Sequence, residues 1–239
     1  MGIVFLVRHA QASFLEPNYD KLSALGEAQA RLLGEYWVRH KIVFDRACTG
    51  PCVRQKDTLT LVSDTCRKAG IPFPDPVALN QFDEYHGEAV LERSLPRLLE
   101  NDQGIRKLHA AFQSSSGSAE RRVTFQKLFE AVMGKWVREE ICPPGVETWL
   151  EFCSRVNSVL TEWLSAGSRG ERVAIFTSWG PIAVAMHRAL QLSVENTLSV
   201  SWMSRNSSWS EFLYSGERFS LSSFNCHAHL GDPAMLTYR

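Results

Sequence analysis

Residues Ile3–Val7 form an unbroken apolar run, rich in β-branched side chains, that stops at Arg8-His9. A run of this length and kind fits a strand buried on both faces, as in a parallel sheet. It is too short for a signal peptide and lacks a basic leading region. Gly2 invites myristoylation, but Leu6 stands where that motif needs Ser or Thr. The run also fixes where chemistry is to be sought. In parallel α/β sheets, ligands bind outside the carboxyl ends of the strands, and Arg8-His9 sits at such an end.

The rest of the chain alternates in the same sense. After a polar loop from Arg8 to Lys21, Ser23 is an N-cap candidate for a helix over 24–39, with Leu25, Ala28, Leu32, Leu33 and Tyr36 on one side. Residues 42–48 suggest a second strand, 53–69 a helix stopping at Gly70, and 77–79 a weak third strand. From Asp83 to Pro144 the pattern is helical, interrupted by Ser-Ser-Ser-Gly-Ser at 114–118. An amphipathic helix over 148–165 follows, then a strand at 173–177. Pro181 suits the first turn of a helix running to Leu190. Strands near 208–214 and 218–224 read as a hairpin about Ser215-Gly216. The expectation is a three-layer α/β fold, a mostly parallel sheet with helices on both faces. It forms a single domain over 1–239 with a helical insertion at 84–144.

Composition excludes several classes. The chain has 239 residues, enough to bury a core without staples, and 26 basic against 26 acidic side chains. No global field gathers nucleic acid or coats a membrane, and no stretch approaches a membrane span. Six cysteines form no CxxC pair and no zinc spacing, so they read as reduced thiols. No cofactor or metal is implied. A soluble cytoplasmic protein is expected, with oligomeric state open.

Three polar stretches fall at strand ends: Arg8-His9, Cys48–Arg54 and Ser178–Gly180. A guanidinium clamps a phosphoryl dianion with two parallel hydrogen bonds. An imidazole beside it is able to attack phosphorus and form a covalent intermediate. Taken alone, the Arg-His pair fits a surface pair equally well.

The ordered set is more specific. Val7–Ser13 resembles the Arg-His-Gly signature of the histidine phosphatase (phosphoglycerate mutase-like) superfamily, with Ala10 where glycine is usual. Leu22–Ala30, Thr49–Thr58, Phe82–Tyr85, Thr177–Ile182, Asn206–Ser208 and Phe224 to Leu230 are similar to the later blocks, in order. The resemblance implies a phosphatase working through a phosphohistidine on a small phosphorylated substrate. It implies His9 as nucleophile, with Arg8 and Arg54 on the phosphate. The general acid comes from Asp83-Glu84, with Glu84 favoured and Asp83 the alternative. Ser178 and the Gly180 N–H are further phosphate donors at a helix start. Ser13 and His229 are additional candidates, the latter as a replacement imidazole, with His227 beside it. The insertion is expected to roof the pocket.

One position departs. The family usually carries Ser-His-Gly after the late strand; here it is Ser178-Trp179-Gly180. Indole offers one neutral N–H and no charge. Losing one preorganised donor typically costs ~10²–10³ in kcat. Two alternatives therefore stand beside a phosphatase: a phosphate-binding regulatory protein of impaired turnover, and a mutase-type phosphotransferase.

Overall fold

The computed structural model describes residues 1–13, 20–166, 168 and 170–238. Residues 14–19 of the polar loop lie outside the described residues. Among the described residues there are six strands and eight helices. The strands are β1 (Gly2–Arg8), β2 (Arg46–Thr49), β3 (Val77–Ala78), β4 (Arg172–Thr177), β5 (Trp209–Ser215) and β6 (Arg218–Cys226). The helices are α1 (Ala24–Arg39), α2 (Val53–Lys68), α3 (Gly87–Asn101), α4 (Gln103–Ser114), α5 (Ser118–Val137), α6 (Trp149–Ser165), α7 (Trp179–Leu190) and α8 (Val194–Ser201).

The sheet order is β3-β2-β4-β1-β5-β6. β1 pairs in parallel with β4, β4 with β2, and β2 with β3; β5 runs antiparallel to both β1 and β6. The sheet is thus mostly parallel, as the apolar opening run requires. Its register levels the carboxyl ends: Arg8 lies opposite Thr177, and Thr49 opposite both Phe176 and Ala78. Three backbone bonds extend that edge, from His9 N–H to Thr177 O, Gly50 N–H to Phe176 O and Leu79 N–H to Thr49 O. The four loops that leave this edge therefore start side by side.

Strand alternation explains the two faces. Phe5, Val7, Ala174 and Phe176 share a core with Leu33, Trp37, Leu59 and Val62 of α1 and α2. Val4, Leu6, Val173 and Ile175 point the other way and are equally buried; α7 packs against β1 and β6 on that side. Trp37 anchors the first core through edge or tilted contacts with Phe5, Phe44 and Phe176.

Ser23 caps α1, its Oγ accepting from Gly26 N–H. The buried face is Gly26, Gln29, Ala30, Leu33 and Trp37, rotated from the expected one. Leu25, Ala28, Leu32 and Tyr36 flank it, half-buried. The rotation arises because small and polar residues meet the loop after β1, where close approach and hydrogen bonding outweigh apolar area. Two further expectations change. β2 starts at Arg46, not at residue 42, since Ile42 N–H and Lys41 N–H close a turn back onto α1. Helix α8, capped by Ser193, was not foreseen.

The chain packs as two compact units, one of Met1–Glu84 with the residues from Arg155 onward, the other Tyr85–Ser154. The second unit gathers Tyr85, Trp136, Trp149 and Phe152 into one aromatic cluster. It extends past Pro144 because Trp149 and Phe152, at the start of α6, belong to that cluster. All six cysteines are free. Among the described residues, no helix is long and apolar enough to cross a membrane.

Gly26 carries a testable consequence. A Cβ there would lie 2.0 Å from the Gln11 carbonyl oxygen, and both partners are backbone. Gly26→Ala should cost about 1–3 kcal/mol of unfolding free energy in urea denaturation, although alanine is the better helix former.

Candidate active site

The polar residues of the first unit meet at the levelled strand edge. His9 follows β1 and is buried. Its main chain is fixed by Thr177 O, and its own carbonyl accepts from Ser207 N–H and the Asn206 amide. The ring has two different neighbours. Nδ1 lies 2.8 Å from Ala10 O, and Nε2 lies 3.2 Å from Arg54 Nε. A carbonyl only accepts and a guanidinium only donates. Nδ1 therefore carries the proton and Nε2 presents its lone pair. Burial first, then the charges of Arg54 and Arg8, push the His9 pKa well below its ordinary value, against the bond to Ala10 O. These surroundings favour the neutral imidazole.

Arg54 comes from the first turn of α2, which Gly50 lets close tightly. A Cβ on Gly50 would lie 2.2 Å from Gln55 Oε1 and 2.5 Å from Phe82 O. Thr58 joins the two sides: its hydroxyl accepts from Ala10 N–H and donates to Arg54 O. The nucleophile loop and the arginine turn are thereby locked together. Asp20 bonds Arg54 Nη1 at 2.6 Å through Oδ1 and Val53 N–H at 2.8 Å through Oδ2.

Arg8 is also buried. Its guanidinium donates to the carbonyls of Ser204 and Tyr238, the latter at 2.8 Å. Its charge still acts at the imidazole, as the lowered His9 pKa records.

Glu84 stands at the start of α7, each carboxylate oxygen 3.1 Å from Gly180 N. The Gly180 N–H, expected to bind phosphate, is bonded to this carboxylate instead, because the Glu84 loop meets the start of α7. Asp83 is turned aside: its Oδ1 accepts from Glu84 N–H and the Cys52 thiol. The Asp83 bond and burial push that thiol up to about 12, against the field of Arg54, burial contributing most. Arg155 holds this loop from outside through Gln81 O at 2.7 Å and Asp83 O at 3.4 Å.

Three expected residues have other partners. Ser178 is fully buried, its hydroxyl 2.7 Å from Gln55 Nε2, in a network with Thr177 and Phe82 O. It braces the edge instead of facing it. The Ser13 hydroxyl donates to Leu22 O, closing the Ala12–Leu22 bridge. His229 Nε2 pairs with Ser207 Oγ at 3.0 Å, beside the rings of Trp209 and Tyr36. Burial and then the charge of His227 push its pKa down to about 3. It is a packing residue. Trp179, where an imidazole is usual, is buried as the first residue of α7.

Sequence reasoning missed Asp20, Gln55 and Thr58. Gln55 at the third position of α2 is a legible capping signal; nothing local marks the other two. Among the described residues, no group of three or more His, Cys, Asp or Glu could hold a metal ion. A cavity of about 500 Å³ is lined by Met1, Gly2, Arg188, Tyr214 and Phe219, among others. It opens at the starting end of β1, away from His9.

Known proteins share this fold. The model of the histidine phosphatase superfamily (branch 1) matches residues 114–227. That segment includes β4 and the start of α7 but not Arg8-His9. YhfR of Bacillus stearothermophilus superposes with a TM-score of 0.65 at 14% identity, covering 96% of this chain and 100% of its own. A putative alpha-ribazole-5'-P phosphatase from Escherichia coli gives 0.64 at 16%, covering 95% and 97%. The chain shares the fold of these two proteins. A mycobacterial glucosyl-3-phosphoglycerate phosphatase, in complex with inorganic phosphate, superposes with a TM-score of 0.62 at 19% identity, over 96% of this chain and 99% of its own. No curated protein matches.

Two outcomes are expected. By NMR, the His9 ring should keep Nδ1 protonated and Nε2 bare from pH 8 to pH 5, while Arg54→Ala should raise its pKa. Stability should also fall with pH. His9 and His229 stay neutral in the fold while unfolded imidazoles protonate below about 6.5. The unfolded chain then binds more protons, which costs about 1.4 kcal/mol per pH unit for each histidine until its folded value is reached. Urea unfolding between pH 7 and pH 5 checks this, and His229→Gln should remove its share of the slope.

Proposed function

We propose that the chain is a metal-independent phosphomonoesterase that transfers a phosphoryl group from a small phosphorylated substrate to His9 and then to water. The observation that carries this reading is the buried, neutral imidazole whose bare Nε2 faces the Arg54 guanidinium. The family match and phosphatases among the structural neighbours support the same reaction class.

The substrate phosphate takes over the Arg54 Nε–H that His9 Nε2 holds in the free protein, and the released Nε2 lone pair forms a bond to phosphorus as the P–O bond to the alcohol breaks. Ala10 O bonds the Nδ1 proton and stabilises the ring as it becomes positive. Arg54 and Arg8 neutralise the phosphoryl oxygens. Glu84, carrying a proton, gives it to the leaving oxygen, which typically speeds this step ~10²–10⁴-fold. Glu84 then takes a proton from water as water attacks phosphorus, and the N–P electron pair returns to Nε2. Asp83 holds the Glu84 backbone and is the lesser acid candidate. Ser178 contributes through Gln55 and the rigidity of the edge. We place the protein in the cytoplasm and read the second unit as an insert in one domain.

A second reading is favoured by Trp179: a phosphate-binding protein with little turnover. The two separate cleanly. A phosphatase releases phosphate from p-nitrophenyl phosphate, and acid-labile phosphohistidine is trapped at residue 9. His9→Ala should lower the rate at least about 10³-fold in a protein that stays folded. Glu84→Gln should slow alkyl phosphates far more than p-nitrophenyl phosphate, whose leaving group departs without a proton. Phosphate binding with no trapped intermediate and no release would overturn the enzyme reading.

A further inference from the structure

We propose that Asp20 is a positioning residue that fixes the Arg54 guanidinium so that its Nε–H edge meets the nucleophile. This rests on the phosphatase reading of the site and adds a residue to it.

The geometry has three parts. First, Asp20 uses both oxygens on one helical turn, Oδ1 on Arg54 Nη1 and Oδ2 on Val53 N–H. Rotation of the carboxylate would break one bond, so it acts as a bracket. Second, Nη1 lies on the same side of the guanidinium as Cδ, opposite the Nε–H. Nε and Nη2 form the other edge, which is one that binds an oxyanion through two parallel bonds. Asp20 therefore holds the group from the far side and leaves the Nε–H edge toward His9, where Nε donates to Nε2 at 3.2 Å. Third, the Asp20 side chain is 37% exposed and that of Arg54 11%. The carboxylate closes the solvent side of a mostly buried cation.

An arginine side chain has several rotamers, and the Asp20 bracket favours the one in which Nε bonds His9. Asp20 also adds negative charge near an anion site, so a competing role is physically open: it could be an internal anion that substrate must displace. The two roles predict opposite results.

The test is a double-mutant cycle of Asp20→Ala and Arg54→Ala, read by kcat and KM on p-nitrophenyl phosphate, by orthovanadate inhibition, and by the ¹⁵N resonance of His9 Nε2. Asp20→Ala should lower kcat/KM about tenfold in the parent and change nothing further in the Arg54→Ala background. It should weaken vanadate and move Nε2 toward the shift of an unbonded ring nitrogen. Asp20→Asn, which keeps one acceptor, should fall between. An equal loss with and without Arg54 overturns the proposal, as does tighter vanadate with unchanged kcat. The resonance arm needs no turnover. If the parent protein proves inactive, the phosphatase reading fails by itself, and an unmoved Nε2 resonance separately rejects the role of Asp20.

Discussion

The site depends on one imidazole having unlike neighbours on its two nitrogens. A carbonyl at Nδ1 and a guanidinium at Nε2 leave a single arrangement of the proton. Burial then removes water as a competing partner, and the nearby cations keep the ring uncharged. Much of the surrounding structure serves this pairing. The loop after β1 turns so that Ala10 O faces the ring. Thr58 ties that loop to the turn carrying Arg54, through one hydroxyl that both accepts and donates. Gln29 bonds Gln11 N–H and holds Met235 O and Thr237. The first loop is thereby secured from α1, α2 and the C-terminal segment at once.

The levelled strand ends explain why such distant segments converge. Two helices, α2 and α7, start at that edge, and the positive end of a helix dipole favours negative charge there. Each start already holds a carboxylate: Asp20 on Val53 N–H and Glu84 on Gly180 N–H. The two differ in what lies behind them. Asp20 is shared with Arg54, so moving it would disturb the cation as well as the helix. Glu84 bonds the Gly180 N–H and is carried by a loop that Arg155 holds at Gln81 and Asp83.

The fold was largely legible because its signals are local. An apolar run of period one, a Ser N-cap, a Gly with φ of +76° at residue 70 and a hairpin turn each act over a few residues. The site was legible in part for the opposite reason. His9 and Arg54 stand at strand ends, a position that sequence reveals. The partners of Ser13, Ser178 and His229 are set by long-range packing, and a hydroxyl or imidazole takes whichever acceptor the fold supplies. Ser178 shows this well. Its place at a helix start suggested an anion donor, but Gln55, more than a hundred residues earlier, reaches it first. The face of α1 was misjudged similarly, since Gly26 and Gln29 are chosen by the loop they touch, not by apolarity.

Trp179 is the point where sequence and site pull against each other. Under the phosphatase reading, an imidazolium at that place would add a positive charge beside the transferring group, whose charge spreads over three equatorial oxygens. The indole is instead buried as the first residue of α7. Position 179 is therefore a packing position here, and putting histidine back would both remove apolar volume and ask a charged ring to lose water. The substitution is not a single missing group in an otherwise unchanged pocket. Under the phosphatase reading, charge neutralisation would fall on the two arginines, and a guanidinium stabilises an oxyanion well only when its edge is already aimed. On that reading, with one cation fewer, the aim of Arg54 would bear more of the transition state, and the residues that orient it would matter more in this chain than the motif alone suggests.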